Sequence, residues 1–314
     1  MPTPIAFVTR LEREEEQSWL AALARTMPEE RIIPFRELSM QERQEAQIAI
    51  VANPDPADVA ALPGLAFIHS LWAGVERLVL ELGETAPPIV RLVDPELSRV
   101  MAEAVLAWTY YLQRDMPAYR RSQEARQWLP RAYRHPADMT IGLLGLGELG
   151  TAAAHRLLEA GFKVEGWSRT ARQMTAIKTH HGEDGLAALL SSSDIVVCLL
   201  PLTSQTRGLL NAPRLALMPK GACLINFARG AIVVADDLLA ALDTEQLEHA
   251  VLDVFETEPL AASSPFYAHP KVTVLPHISA PTTEATAAQI VATNITGWRK
   301  DGTLPASIDM RRGY

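Results

Sequence analysis

The chain has 314 residues, is 48% hydrophobic and carries a formal net charge of −8, with two cysteines. That length exceeds one ordinary core and predicts two domains, with enough apolar residues to fill both. The acidic balance excludes a general nucleic-acid binder, which presents a basic face.

The opening MPTPIAFVTRLEREEEQ holds an apolar run too short for a signal-peptide core, and no other run approaches a membrane span. IAFVTR reads as a strand and EEQSWLAALARTM as an amphipathic helix. RIIPF, AQIAIVA, LAFIHSL and IVRLVD read as further short strands, and NPDP and LPG punctuate them as turns. This is the alternation of an α/β domain with a parallel sheet.

From Pro95 the texture becomes helical through PELSRVMAEAVLAWTYYLQRDMPAYRRSQEARQW, with a break expected near Pro117. Its aromatic residues Trp108, Tyr110, Tyr111 and Tyr119 suit either a subunit interface or a buried intrachain helix. A second α/β series begins at Met139, with strands MTIGLL, FKVEGW, DIVVCLL, ACLINF, HAVLDVF and VTVLP. Six strands in that rhythm predict a doubly wound dinucleotide-binding fold. Cys198 and Cys223 lie in these apolar runs and read as buried thiols of a reducing compartment, so the expectation is a cytoplasmic protein without a membrane partner. The last helix, TEATAAQIVATNITGWRKDG, ends near Gly302 and is expected to pack back onto the first domain. The fold class is therefore α/β, with two Rossmann-like or flavodoxin-like domains, doubly wound parallel sheets and a cleft between them. Residues 1–99 plus 283–314 form the substrate-binding domain and residues 100–282 the dinucleotide-binding domain.

IGLLGLGELG sets Gly145, Gly147 and Gly150 in G-x-G-x-x-G spacing. Alone this is a weak signal, but an apolar strand precedes it and TAAAHRLLEAG follows as a helix. The first glycine allows the tight turn, the second lets a pyrophosphate approach, and the third lets helix and strand pack. The helix start then meets the phosphates with unpaired N–H groups and a positive dipole. About twenty residues on, where NAD-binding chains place a carboxylate on the ribose, GWSRTAR offers Ser168, Arg169 and Thr170, with Arg172 as a second cation. A guanidinium attracts a 2′-phosphate that a carboxylate repels, so these residues favour NADP(H), with NAD(H) as the alternative cofactor. The plainer reading of Arg169 is a solvated surface residue.

Ligands of open parallel sheets bind beyond the carboxyl ends of the strands. ACLINF is followed by Ala228, Arg229 and Gly230; HAVLDVF by Glu256, Thr257 and Glu258; VTVLP by His277. Each residue alone has a structural or surface reading. Together they suit reduction of a 2-oxo acid. Arg229 holds the carboxylate and polarises the ketone, protonated His277 delivers a proton to the developing alkoxide, and Glu258 favours the charged imidazole. Asp253 is placed to face the nicotinamide carboxamide.

LLGLGELG, LLPLTSQTRGLL, INFARGAIV, LDVFETEP and VLPHISAPT resemble the D-isomer-specific 2-hydroxyacid dehydrogenase family, in the same order through nearly the whole nucleotide domain. WSRT, the length and the terminal RGY resemble its glyoxylate/hydroxypyruvate reductase A group. The resemblance implies Arg229, Glu258 and His277 as the catalytic set. It implies cofactor contacts from Gly145, Gly147, Glu148, Leu149 and Gly150, from Leu200 and Pro201, from Phe227, Ala228, Arg229, Asp253, His277 and Ser279, and from the segment around Val100 and Met101. LWAGVE resembles the family's substrate loop, in which the N–H groups of Ala73 and Gly74 hold the substrate carboxylate beside Trp72. Relatives carry an aromatic residue where this chain has Ala52 and Asn53, and Trp72 is expected to fill the space. The implied reactions are NADPH-dependent reduction of glyoxylate to glycolate and of hydroxypyruvate to D-glycerate, by a homodimer. The alternatives are a dehydrogenase for another 2-oxo acid and a non-catalytic NAD(P)-sensing protein on the same fold. His180, His181 and His269 lack metal-ligand spacing, and Arg311 and Arg312 read as a loose tail.

Overall fold

The computed structural model describes residues 3–83 and 85–309; Arg311, Arg312 and the RGY ending lie outside them. The chain divides into two compact units, one running to Glu96 and resuming at Thr282, the other spanning Leu97–Pro281.

The first unit is built on a five-stranded parallel sheet of β1 (Ile5–Thr9), β2 (Ile32–Pro34), β3 (Ile48–Ala52), β4 (Phe67–Ser70) and β5 (Ile89–Val90), in the order β2-β1-β3-β4-β5. Every residue of β3 is buried, as expected of a strand covered on both faces. Side chains alternate across the sheet. Ile5, Phe7, Ile48, Ile50 and Phe67 pack under the helices Arg13–Thr26 and Glu284–Asp301, whereas Ala6, Val8, Ala49, Val51 and Ile68 face the opposite core. The Glu284–Asp301 helix presents Ala287, Ala288, Val291, Ala292 and Ile295 to Trp19, Ala22 and Leu23, so small residues let the two helices approach closely. Leu23 is fully buried, and its truncation to alanine would cost about 2–5 kcal/mol.

The second unit holds a seven-stranded parallel sheet: β6 (Thr140–Leu144), β7 (Lys163–Ser168), β8 (Lys178–His181), β9 (Ile195–Cys198), β10 (Ala222–Asn226), β11 (Leu247–Leu252) and β12 (Val272–Val274). Its order is β12-β11-β10-β9-β6-β7-β8, so the chain winds outward from β6 first one way and then the other. That reversal between β6 and β9 is the switch point where doubly wound sheets bind ligands. The sequence shows six of these strands. The seventh, β8, is an edge strand of KTHH, held by polar pairs rather than an apolar pattern. His180 lies 2.7 Å and Lys178 3.4 Å from Glu165 of β7. The long helical stretch breaks at Arg114–Asp115, between helices Pro95–Gln113 and Met116–Glu124. Asp115 adopts a left-handed conformation (φ 54°), and Pro117 sits in the first turn of the second helix, where a missing N–H costs nothing. Trp108 and Tyr111 meet edge to face at 5.0 Å and pack on the core, while Tyr110 and Tyr119 stay exposed. Cys198 and Cys223 are buried, and desolvation pushes both thiols up to about 12. Among the described residues, no helix is long and apolar enough to cross a membrane.

Candidate active site

The turn after β6 is shaped by its three glycines. Gly145 has φ 106°, a conformation side-chain-bearing residues avoid, and its N–H donates to Trp167 O at 2.9 Å. A Cβ on Gly150 would lie 1.8 Å from Gly145 O, so only glycine lets the helix Glu148–Glu159 start against the strand. Gly147 is different: nothing lies within 4 Å of where its Cβ would project. It is the N-cap of the helix and supplies no side-chain acceptor to the first turn at Glu148 and Leu149. Open space before a helix start, bounded by bare backbone, fits the pyrophosphate of a dinucleotide. The loop after β9 closes the other side, with Leu200 buried and Pro201 half-buried; a Cβ on Gly145 would meet Leu199 O at 2.9 Å.

Beside this turn, β7 ends in the basic and hydroxyl-bearing loop. Ser168 Oγ donates to Thr170 O at 2.8 Å. The Arg169 guanidinium donates through Nη1 to Gln205 Oε1 at 2.9 Å. Arg172 donates to Leu146 O, tying the loop back to the glycine turn. All four residues named from the sequence thus gather at one corner, where the 2′ position of an adenosine ribose is recognised in this fold.

Farther along the sheet, the ends of β10 and β11 are pressed together. A Cβ on Gly230 would lie 2.0 Å from Phe255 C, so the chain after Arg229 passes directly against the β11 loop. Buried Asn226 braces that passage. Its Nδ2 donates to Arg229 O at 3.0 Å and its Oδ1 accepts from Ala228 N–H at 3.2 Å. Phe227 and Ala228 are buried, whereas Arg229 is half-buried and donates to Ala228 O at 2.7 Å. Its charge reaches both Glu258 and His277.

Glu258 and His277 form a pair, with Oε2 2.7 Å from Nδ1. The other carboxylate oxygen accepts the Phe255 N–H at 2.8 Å. Burial pushes the Glu258 carboxyl up, but the His277 and Phe255 hydrogen bonds and the charges of His277 and Arg229 outweigh it and hold it below the usual range. The hydrogen bond to Glu258 raises His277 above the ordinary histidine value, against desolvation and the Arg229 charge. With Nδ1 paired to the Glu258 carboxylate, Nε2 is the ring nitrogen left outside that pair. His277 has φ 55°, an uncommon conformation that needs support. Asp253 supplies it: its carbonyl accepts the His277 N–H at 2.9 Å, and its carboxylate accepts the Ile278 and Ser279 N–H groups at 2.7 and 2.8 Å. Each carboxylate oxygen of Asp253, the residue the sequence expects to face the nicotinamide carboxamide, thus accepts a backbone N–H of the histidine loop. Ser279 is buried behind it, and Met101 lies in the core of the same unit.

In the first unit, the loop after β4 carries Trp72, Ala73 and Gly74. Ser70 Oγ accepts the Trp72 N–H at 3.0 Å, and Trp72 O accepts the Leu92 N–H at 3.1 Å. The Trp72 ring meets Trp19 edge to face at 5.7 Å, in the cluster that holds fully buried Ala52. Among the described residues, neither the Ala73 nor the Gly74 N–H has a protein acceptor. Two of the three other histidines singled out in the sequence have side-chain partners: His180 meets Glu165, and His269 lies 3.2 Å from Asp243. No group of three or more potential metal ligands forms among the described residues. Sequence reasoning missed Asn226 and Gln205. A polar residue closing the otherwise apolar run ACLINF was the available signal for the first; nothing local marks the second.

Residues 106–279 match the family model of the D-isomer specific 2-hydroxyacid dehydrogenase, NAD binding domain. The structure is similar to a D-isomer specific 2-hydroxyacid dehydrogenase from Xanthobacter autotrophicus Py2, solved in complex with NADPH and MES, at 37% identity and TM-score 0.92, covering 100% of both chains. It is also similar to the NADPH-dependent glyoxylate/hydroxypyruvate reductase SmGhrA from Sinorhizobium meliloti, solved with NADP and sulfate, at 32% identity and TM-score 0.88, again over 100% of both chains. A probable 2-hydroxyacid dehydrogenase from Rhizobium etli CFN 42, in complex with NADP, HEPES and L(+)-tartaric acid, matches at 29% identity and TM-score 0.90 over 99% of each. The chain belongs to the D-isomer specific 2-hydroxyacid dehydrogenase family, whose members are NAD(P)-dependent oxidoreductases acting on CH–OH groups.

Proposed function

We propose that the protein is an NADPH-dependent reductase of small 2-oxo acids, converting glyoxylate to glycolate and hydroxypyruvate to D-glycerate. The observation that carries this reading is the gathering of Arg229, Glu258 and His277 at adjacent strand ends, with His277 Nδ1 2.7 Å from Glu258. Bound NADPH supplies the hydride. Arg229 binds the substrate carboxylate with its planar fork and polarises the neighbouring ketone. His277 delivers a proton from Nε2 to the developing alkoxide, and Glu258 keeps the imidazole charged and oriented for that step. Trp72, Ala73 and Gly74 bind substrate, the two N–H groups acting as donors to a carboxylate. Ser168, Arg169, Thr170 and Arg172 select NADP(H), with NAD(H) as the weaker cofactor. The corresponding assembly is a cytoplasmic homodimer.

A panel of 2-oxo acids with each cofactor, followed by absorbance of the reduced nicotinamide, tests this directly. Turnover is expected with glyoxylate and hydroxypyruvate and NADPH. Cofactor binding without turnover on any 2-oxo acid would instead indicate a sensing protein. Arg169→Ala is expected to erode the NADPH preference; an unchanged ratio of catalytic efficiencies removes Arg169 from the site.

A further inference from the structure

We infer that Gln205 is a cofactor-specificity residue, which grips the Arg169 guanidinium across the glycine turn and presents it to the 2′-phosphate of NADP(H). The inference rests on the reading of NADPH as cofactor and names a residue that this reading does not contain.

The sheet order places it. β9, β6 and β7 are neighbours, so the loops after β9 and β7 flank the glycine turn at the end of β6. Gln205 lies in the first loop and Arg169 in the second, and the 2.9 Å bond from Arg169 Nη1 to Gln205 Oε1 spans from one to the other. The β9 loop is a firm base for that reach. Thr206 Oγ1 donates to Pro201 O at 2.7 Å and accepts the Thr203 N–H at 2.8 Å. Thr203 Oγ1 in turn accepts the N–H groups of Gln205 and Thr206 at 3.3 and 3.2 Å. These bonds brace the backbone on either side of Gln205.

The residue type carries the chemistry. An amide oxygen orders a guanidinium without itself adding the negative charge that a carboxylate would bring. A carboxylate at the same position would pair with Arg169, compete for its donors and repel the phosphate through space. The amide also carries an N–H₂ group, a donor that an anionic oxygen accepts and a carboxylate cannot imitate. Both side chains are solvent-exposed, and an exposed contact of this kind adds little to folding stability. Its consequence is selectivity: a long, flexible arginine is held in one place before the cofactor arrives.

The test is direct binding, read by nicotinamide fluorescence on titrating NADPH and NADH, with no turnover required. Gln205→Glu is expected to weaken NADPH binding about tenfold or more while NADH binding changes less than about twofold, because only NADPH carries the repelled phosphate. Gln205→Ala should weaken NADPH about three- to fivefold, and that loss should vanish in an Arg169→Ala background, since the two residues act as a pair. Retained NADH binding shows in each variant that the fold is intact. A wild-type protein that prefers NADPH, with both Gln205 variants keeping the wild-type ratio, overturns the inference alone. Equal losses from Gln205→Ala with and without Arg169 also overturn it. A wild-type protein that binds the two cofactors alike overturns the NADPH reading, and this inference with it.

Discussion

Each parallel sheet of the molecule places a histidine near the carboxyl end of a strand, and the two imidazoles live in opposite conditions. His69, in β4, is fully buried; its Nδ1 donates to Ser70 O at 3.0 Å and its Nε2 accepts from Asn294 Nδ2 at 2.9 Å. Desolvation pushes it down to about 4, so it is neutral at pH 7. His277, beyond β12, keeps 52% of its side chain exposed and bonds a carboxylate that raises its affinity for a proton. Architecture put both near strand ends; surroundings push the proton affinity of one down and of the other up. In the seven-stranded sheet the strand ends carry charged side chains that tune each other. In the five-stranded sheet the histidine braces the backbone, and what the next loop offers is a pair of N–H groups.

The sharpest way to break that contrast is to remove the carboxylate-paired histidine. His277→Ala should lower turnover about 10²- to 10⁴-fold, the usual contribution of a proton donor, while the dissociation constant for NADPH stays near wild type. A variant that keeps a tenth of the rate would mean that the proton comes from elsewhere. The buried histidine gives the next effect, on stability rather than rate. Between about pH 6.5 and 4 the unfolded chain protonates His69 while the folded one does not, so stability is full above the ordinary histidine value and falls as pH drops towards 4. That gap corresponds to about 3 kcal/mol. Urea midpoints at pH 7 and 4.5 should therefore lie closer together for His69→Gln than for wild type, with the variant weaker at pH 7. Equal spacing in both proteins would remove His69 as the source. Glu258→Gln sharpens the other side of the contrast. It deletes the group that raises His277, so the alkaline limb of the reduction profile should move to lower pH, with about a tenfold loss near neutrality. A limb that stays in place would separate Glu258 from the titration of the histidine.

Apolar runs and punctuation made most of this arrangement legible before any coordinates. β1, β3, β6, β9 and β10 are near-continuous apolar runs because both faces of the sheets are covered, and such runs read clearly. Arg229, Glu258 and His277 follow β10, β11 and β12, strands consecutive in the chain and neighbours in the sheet, which is why they could be named together. What stayed hidden depends on partners distant in sequence. β8 is held through Glu165 and has no apolar period of its own. The buried His69 Nε2 is satisfied by Asn294, 225 residues away. The 2.9 Å bond between Gln205 and Arg169 exists because β9 and β7 flank β6, a fact of sheet order that no local pattern encodes.

The smallest expected effect probes the loop of the five-stranded sheet. Trp72 does two things there that can be separated. Its ring packs edge-on against Trp19 in the core that holds Ala52, and its backbone leads into the Ala73 and Gly74 N–H pair. If the indole fills space left by the small Ala52, shortening it should change which substrates fit without changing how a proton is delivered. Trp72→Phe keeps an aromatic face for Trp19, so its stability cost should stay below the ~3–5 kcal/mol of a truncation to alanine. The added room should favour the larger hydroxypyruvate over glyoxylate by about a few-fold in kcat/KM, less than the roughly 10- to 200-fold that one methylene in an apolar pocket can discriminate. The pH profile should be untouched, because no titrating group of the seven-stranded sheet is altered. An unchanged substrate ratio would confine Trp72 to packing; a displaced pH limb would show instead that the loop governs His277, and the contrast between the two sheets would fail.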